Sequence, residues 1–486
     1  MSKSRTLWPK VPAAFVESTL TGHKILGLIA AAVLYLICLS GTVTVFYTDT
    51  QAWETPNLPA VAALKPEGVA AAIADGRAHL PKTPGASIYV YTPTPDFHRL
   101  SVQVGKTVRG YDGDGRYVGD ASHPVTDALT ELHYQLHLPS TIGFVLVGIF
   151  GVAMLALIVG GLLAHPRIFK DAFLWRLNGT PRLNRADLHN RIGVWASPFH
   201  IVIALSGALI GLSSILSLVA ATGMFHGDTN KASAALFGTP PAELKSGQVT
   251  SAAIVTALTT LKHDYPDARP NFIGIENVGT DHEALTVNAE IRDRLVYGDE
   301  FTFAADGRLR DAHYMSKGAA GKQIYASLYK LHFGSFGGVW VRWAYLLLGA
   351  GLCLICTTGI DIWLLKSAQK GKPYPLLHRV WTGFVWAVPF AMAAAALLTI
   401  AAAVPYVPVF WGVTVVASLF GLAARTPEQV SKIGRLAFAA SLLALVAVHT
   451  VHFGAVAWST GLGVNLSLLV LAIIMAVFVI RTPKQL

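Results

Sequence analysis

Six stretches of the chain contain no Asp, Glu, Lys or Arg: residues 25–47, 141–164, 192–220, 343–360, 380–424 and 436–480. A helix that crosses a bilayer needs about 20 apolar residues, so these runs restrict the fold more than any other feature. The last two are each twice the length of one crossing and suit helical hairpins. Pro405 and Pro408 break the first, and Thr460-Gly461-Leu462-Gly463 breaks the second. Eight spans are expected. The runs are continuous rather than alternating, which favours a helical bundle over a β-barrel. Only 14% of residues are charged, against about 25% in soluble chains, which excludes a mainly cytosolic enzyme.

Orientation follows from Lys and Arg in the connections. Residues 1–24, 165–192, 366–379, 424–435 and 481–486 hold nineteen basic residues against four acids, while the rest of the chain is net acidic. The basic side is expected to be cytoplasmic, with both termini inside. The net charge of +10 is therefore a topology signal, and nucleic acid is not expected as a partner; the lipid bilayer is. The basic start followed by an apolar run lacks a small-x-small cleavage site and reads as an uncleaved anchor. Residues 48–140 and 221–337 then face outside.

The chain is internally duplicated. The first span opens His23-Lys-Ile-Leu-Gly27 and reaches Leu39-Ser40-Gly41; the third opens His189-Asn-Arg-Ile-Gly193 and reaches Leu205-Ser206-Gly207 at the same spacing. The second span opens Leu129-Thr-Glu-Leu-His133, with Gly160 downstream, and the fourth opens Leu328-Tyr-Lys-Leu-His332, with Gly359 downstream. The outer segments match as well. Ala-rich helices over 66–80 and 248–263 each precede strands with period-two alternation, closed by Gly turns at Gly115 and Gly307. Residues 1–165 and 166–366 thus read as two copies of span, small α+β outer domain, span. Residues 367–486 add four more spans. Both copies begin inside, so the pseudo-two-fold axis should run along the membrane normal.

Histidine within or at the edge of a bilayer is costly and marks function when it has a partner. His23 and His189 are expected at the cytoplasmic ends of spans one and three, and His133 and His332 at the outer ends of spans two and four. Symmetry brings each pair to the axis from opposite sides. Two facing imidazoles are natural axial ligands of a low-spin haem iron, and Gly27, Gly41, Gly160, Gly193, Gly207 and Gly359 leave room for a macrocycle or for close helix packing. One haem near each face would carry electrons across the membrane, with no open iron position for substrate. His137, on the same helix face as His133, is a second candidate for that ligand position. His200 lies within about 20° of the face of His189 and about 16 Å deeper, and is either a ligand or a supporting group. His378, His449 and His452 lie in the added spans, where packing competes with a third haem, a quinol site or a metal site. Cys353-x-x-Cys356 sits in mid-span and reads as packing, and Asp361 is expected to pair with Lys366. No catalytic side chain is assigned. No Gly-x-Gly-x-x-Gly motif follows a strand before a helix, so electrons must come from a cytoplasmic reductase or from quinol.

On these motifs, His-x-x-x-Gly before a Ser-Gly-ended span, Leu-Thr-Glu-Leu-His133, and Leu-Tyr-Lys-Leu-His332-Phe-Gly, together with the paired outer domains, residues 10–366 resemble the PepSY-associated transmembrane family. Its best-understood members are haem-containing ferric-siderophore reductases of the FoxB type. The resemblance implies a mainly α, integral-membrane bundle with two small α+β PepSY-like periplasmic domains in the bacterial inner membrane. It also implies two bis-histidine b-type haems and a haem-dependent transmembrane reductase that acts on a periplasmic ferric siderophore or other iron chelate. The four added spans depart from the short form of the family. A second reading, a non-enzymatic membrane regulator or assembly factor, would make the histidines packing groups; haem content separates the two.

Overall fold

The computed structural model describes residues 12–80, 85–164, 180–237 and 247–480. The ends of the chain and most of the connection between the two copies, including the boundary expected at 165–166, lie outside the described residues.

The first copy runs α1 (Ala13–Thr44), α2 (Tyr47–Glu54), α3 (Pro66–Ala78), β1 (Ala86–Tyr91), β2 (Leu100–Val104), β3 (Thr107–Tyr111), β4 (Tyr117–Asp120), α4 (Pro124–Gln135) and α5 (Ser140–Leu163). The second runs α6 (Pro181–Trp195), α7 (Ser197–Gly211), α8 (Ser213–Met224), α9 (Thr229–Phe237), α10 (Ser251–Asp264), β5 (Ala268–Val278), β6 (Ala284–Ile291), β7 (Asp299–Phe303), β8 (Leu309–His313), α11 (Ala320–Phe333) and α12 (Gly338–Gln369). The chain ends with α13 (Pro375–Ala402), α14 (Tyr406–Ala423), α15 (Pro427–Phe453) and α16 (Leu462–Ile480).

Among the described residues, seven helices are long and apolar enough to cross a membrane. The pair α6 and α7 meets the same test together, as one span bent by 70°. This gives a multi-pass membrane protein with seven such helices, against the eight crossings expected from the sequence; the bent pair stands where the third was expected. The bend has a local cause. Pro198 has no N–H, and its ring would clash with the carbonyl of residue 194 in a straight helix. The freed carbonyl of Val194 accepts instead from the hydroxyl of Ser197 at 2.8 Å.

The four spans of the duplicated region form a symmetric bundle. α1 packs on α12 and α5, while α7 packs on α5 and α6 on α12. Small residues let the backbones close. A Cβ on Gly151 would lie 3.0 Å from the Ala208 amide nitrogen, and one on Gly148 would lie 2.8 Å from Leu212 Cγ and 2.9 Å from the Gly211 carbonyl carbon.

The two outer domains do not stand apart. Their strands form one antiparallel sheet, in the order β4-β3-β2-β1-β5-β6-β7-β8, joined through β1 and β5 with Ile88 opposite Ile275 and Val90 opposite Ile273. One face of the sheet packs Ile88, Val90, Val102, Ile273, Ile275, Leu285 and Val287 against Val69, Ile73, Ile254 and Leu261 of α3 and α10. This is the inward half of the period-two alternation. Gly115 and Gly307 both have positive φ and sit under the first turn of their own copy's helix, against the carbonyls of Gly68 and Ala253. Neither place has room for a side chain. Arg77 of α3 pairs with Glu283, which is buried before β6, and so locks one half to the other.

The opposite face of the sheet looks onto α4 and α11. Glu290 on that face pairs with Lys330 of α11, and Tyr91 lies within electrostatic reach of Asp127 on α4. These two helices correct one expectation: His133 and His332 do not open spans two and four. They close separate helices that end in left-handed residues, Leu136 (φ 54°) and Gly334 (φ 68°), before the spans start at Ser140 and Gly338. The added helices pack on the first copy through α13 and α14 against α4 and α16 against α2, and on the second through α13 against α12, where Trp381 meets Ile360 and Leu364.

Candidate functional site

The duplication places four histidines as two pairs. At the sheet side, the rings of His133 and His332 have centroids 6.0 Å apart and planes 25° apart. At the other end of the bundle, His23 and His189 are 6.3 Å apart with planes at 83°. His23 and Gly41, which abuts His133, are separated by 18 residues of the single helix α1. That is about 27 Å along the axis, close to the thickness of a hydrocarbon slab of about 30 Å.

Each ring is held by the same nitrogen. His133 Nδ1 donates to the Ile37 carbonyl at 2.9 Å, and His23 Nδ1 donates to the Leu157 carbonyl at 3.0 Å. A carbonyl can only accept, so the proton is on Nδ1 and the lone pair on Nε2. His332 Nδ1 meets the Ser206 hydroxyl at 2.9 Å, and His189 Nδ1 meets the Thr358 hydroxyl at 3.1 Å. Those hydroxyls spend their own protons on the Val202 and Leu354 carbonyls, both at 2.6 Å, so they too accept from Nδ1. All four Nε2 atoms are left without a hydrogen-bond partner among the described residues. Nδ1–H anchored by a protein acceptor, with Nε2 free, is the arrangement of a metal-ligating histidine.

Glycines form the seat of every ring. A Cβ would lie 2.5 Å from His133 Cε1 at Gly41, 2.9 Å from His332 Cε1 at Gly207, 3.3 Å from His23 Cε1 at Gly161, and 3.4 Å from His189 Cε1 at Gly359. Equal spacing from the histidines pairs Gly160 with Gly359. The structural equivalent is Gly161, because the first copy has one more residue between its histidine and the glycine. Gly160 faces Thr19, Gly27 faces Leu157, and Gly193 faces open space.

The spacing fits a haem iron. A metal–imidazole bond of about 2.0 Å plus about 1.1 Å from nitrogen to ring centre puts two axial rings about 6.2 Å apart, and both pairs match this. No group of three or more His, Cys, Asp or Glu among the described residues could hold a bare ion. Two ligands suffice only where a macrocycle supplies the others.

The remaining histidines are not brought into either pair. His137 is saturated: Nε2 donates to the Ala128 carbonyl at 2.7 Å, and Nδ1 accepts from Trp411 Nε1 at 3.0 Å. It ties α4 to the added helices. His200 is fully buried and points Nε2 at the Leu348 carbonyl (3.3 Å). It would share the face of His189 only on a straight helix, and the 70° bend between them removes that relation. His449 is stacked on Trp53 at 4.3 Å, and both its nitrogens are bonded, to the Trp53 carbonyl and to Asn465. His452 is exposed and packs beside Phe453. Asp361 faces Arg185 at 3.6 Å and His378 at 3.8 Å rather than Lys366. Cys38, Cys353 and Cys356 are free thiols in the packed bundle.

Sequence reasoning missed the residues that aim the ligand helices. Buried Glu54 accepts from the Val125 and Thr126 amides at 2.8 and 2.7 Å, capping α4 at the end opposite His133. Asp299 instead pins the segment ahead of α11, accepting from the Met315 and Ser316 amides, both at 2.8 Å. The two acids occupy unrelated sequence positions, so the repeat gave no sign of them. Ser206 was visible as part of the repeated Leu-Ser-Gly motif, though its bond to His332 was not.

A family model described as the PepSY-associated TM region matches residues 20–366, a stretch that includes all four paired histidines and excludes α13 to α16. An uncharacterized protein of Pseudomonas aeruginosa is 30% identical over 290 residues, covering 57% of this chain and 72% of that protein.

Proposed function

The chain belongs to the PepSY-associated transmembrane family, and on that footing we propose that it is a di-haem membrane oxidoreductase. It passes electrons from the cytoplasmic side to a periplasmic acceptor. His133 and His332 would hold the haem near the sheet, and His23 and His189 the haem at the opposite end. Haem, when bound, supplies one-electron carriage. The observation that carries the reading is the repeated geometry: two imidazole pairs at ligand spacing, each with Nδ1 anchored and Nε2 free.

The side chains then have defined tasks. The Nδ1 acceptors fix ring orientation and make each Nε2 more electron-rich. With haem bound, the two imidazoles of each pair would hold its iron and leave no position for substrate, so the acceptor would be reduced at the rim. The acceptor we propose is a ferric siderophore: one electron converts its Fe(III) to Fe(II), which hard oxygen chelators hold less tightly, and iron is released. The electron comes from a cytoplasmic reductase or from quinol. On the positive-inside rule the basic connections support a topology in which the sheet would lie in the periplasm and the termini in the cytoplasm of an inner bacterial membrane.

Purified protein reduced with dithionite should show the split bands of bis-imidazole haem, and the ferric protein should show two distinct low-spin paramagnetic signals, because the ring planes meet at 25° in one pair and 83° in the other. His332→Ala should remove about one haem per chain and leave the second signal. Protein reconstituted with haem that still shows no such bands would refute the proposal.

A further inference from the structure

The two helices that deliver the sheet-side pair are fastened at their ends by different means. α11 stops at Gly334, where a positive φ costs nothing (φ 68°). Its last turn is tied by a residue of its own copy. The Tyr345 hydroxyl, on α12, donates to the Leu331 carbonyl at 2.5 Å, and a Cβ on Gly334 would lie 3.0 Å from the Tyr345 ring. Tyr345 stands 13 residues after His332. The residue 13 after His133 is Leu146, which has nothing to donate.

α4 runs out instead through Leu136 and His137, two consecutive non-glycine residues with left-handed backbones (φ 54° and 56°). Such backbones persist only where the surroundings hold them. Two bonds from one side chain do so here. His137 Nε2 donates back to the Ala128 carbonyl of α4 at 2.7 Å, and Nδ1 accepts from Trp411 Nε1 at 3.0 Å. Trp411 belongs to α14, one of the added helices. Its neighbour Phe410 is fully buried and meets the His137 ring edge-on at 6.0 Å. His137 follows His133 by four residues, so the fastening lies beside the ligand.

We propose that Trp411 is a positioning residue for His133, acting through His137, and that the added helices give the first copy the tie that Tyr345 gives the second. The inference rests on the haem reading above and assigns residues 367–486 a task within it. With His137 held by the indole, the strained turn stays closed and His133 keeps its place opposite His332. Without the indole N–H, the turn relaxes and the imidazole leaves its place more often. The effect is confined to one pair, because His23 and His189 lie at the other end of the bundle.

The test uses the full-length haem protein in lipid nanodiscs, reduced with dithionite. Carbon monoxide binds a ferrous bis-imidazole iron only after one imidazole has left, so its binding rate reads how often a ligand lets go. Trp411→Phe keeps a ring and removes the donor. It should speed carbon monoxide binding about 2- to 12-fold, the weight of one hydrogen bond, at the haem that His332→Ala removes and not at the other. Tyr345→Phe should act on the same haem through His332. Amide exchange separates the two: it should quicken in the last turn of α4 for Trp411→Phe and in the last turn of α11 for Tyr345→Phe. His137→Gln can still accept from the indole and donate to Ala128, and should bind carbon monoxide more slowly than His137→Ala. Trp386→Phe is the control. It loses a bond of the same kind, to the Ser431 hydroxyl at 3.1 Å, wholly within the added helices, and should keep the wild-type rate. A Trp411→Phe protein with wild-type carbon monoxide binding overturns the proposal. So does a Trp386→Phe protein that speeds binding as much, since the Trp411 bond would then serve only the stability of the added helices. Wild-type protein without haem would sink the electron-transfer reading, and the exchange comparison, which needs no haem, would still decide whether Trp411 holds α4.

Discussion

One methyl group at Gly41 tests the paired-imidazole arrangement directly. A Cβ there lies 2.5 Å from Cε1 and 2.8 Å from Nδ1 of His133, about 1 Å inside an ordinary carbon contact of about 3.5 Å. The ring has little freedom to retreat. Its Nδ1–H is bonded at 2.9 Å to the carbonyl of Ile37, one turn from Gly41 on the same helix. A ring shift of about 1 Å gives up that bond and leaves a buried donor unpaired, at a cost of about 1–3 kcal/mol. A ring that stays is overpacked, at a cost of about 1–3 kcal/mol. Either way the ligand geometry at the sheet side loses about 1–3 kcal/mol, which is about 5- to 150-fold in retention of the group it holds. Gly207→Ala acts on His332 in the same sense, more mildly, from 2.9 Å. Gly27→Ala and Gly193→Ala are the controls: the first meets Leu157 at an ordinary 3.8 Å and the second meets nothing within 4 Å. The assay is haem per chain after gel filtration, with the rate of haem transfer to an excess of apomyoglobin. Gly41→Ala should lose the sheet-side haem 5- to 150-fold faster, by the same arithmetic, and keep the other. A Gly41→Ala protein with both haems at wild-type transfer rates, or a Gly193→Ala protein that sheds haem as readily, would refute the reasoning.

Three further outcomes follow from the same contacts. His137→Ala should keep both haems but lower the midpoint of thermal unfolding, because Trp411 Nε1 loses its acceptor at a cost of about 1–3 kcal/mol; loss of haem would make His137 a ligand after all. His449→Ala should likewise spare haem while loosening α15 and α16 from Trp53, read as faster amide exchange in those helices alone. The Arg77–Glu283 pair should make the outer domain acid-sensitive. Burial raises the Glu283 carboxyl, but the Arg77 guanidinium and the Gly279 and Val249 amides outweigh it and hold it below its ordinary value. A carboxyl with a lowered folded pKa contributes its full stability above its unfolded pKa and loses it as pH falls through the folded one. Amide exchange across the β1–β5 junction should therefore accelerate on acidification below the ordinary carboxylate range, and Glu283→Gln should abolish the pH dependence.

The spans and the duplication were legible because each leaves a local mark: a run without charge, or a motif at a fixed interval. The four histidines were legible for the same reason, since two copies of a motif must meet at the axis. Contacts made at long range left no such mark. β1 and β5 alternate like any half-buried strands, and nothing in either names the other as its neighbour. Yet their pairing turns two expected domains into one sheet. His200 shows how a local rule fails through geometry: an angle of 100° per residue holds only while the helix is straight, and Pro198 ends that eleven-residue calculation one turn too early. The ligand helices α4 and α11 were read as span ends because their apolar faces run on into the true spans. They are instead separate amphipathic helices, α4 capped by Glu54 and α11 preceded by a segment that Asp299 pins at Met315 and Ser316.

Those clamps explain why symmetry holds where the sequences part. An axial pair needs two rings at a separation set by the metal, to within a few tenths of an ångström, and each ring is delivered by a helix rooted in the sheet. Continuity of the sheet across β1 and β5 fixes the two roots relative to each other, and a carboxylate holds the start of α4 and the segment that leads into α11. One copy achieves this with a Glu from α2, the other with an Asp from β7. Such convergence from unrelated positions is expected when the meeting of the rings is what must be kept. It gives no advantage if His133 and His332 merely fill space, because packing alone would tolerate a helix displaced by half a turn.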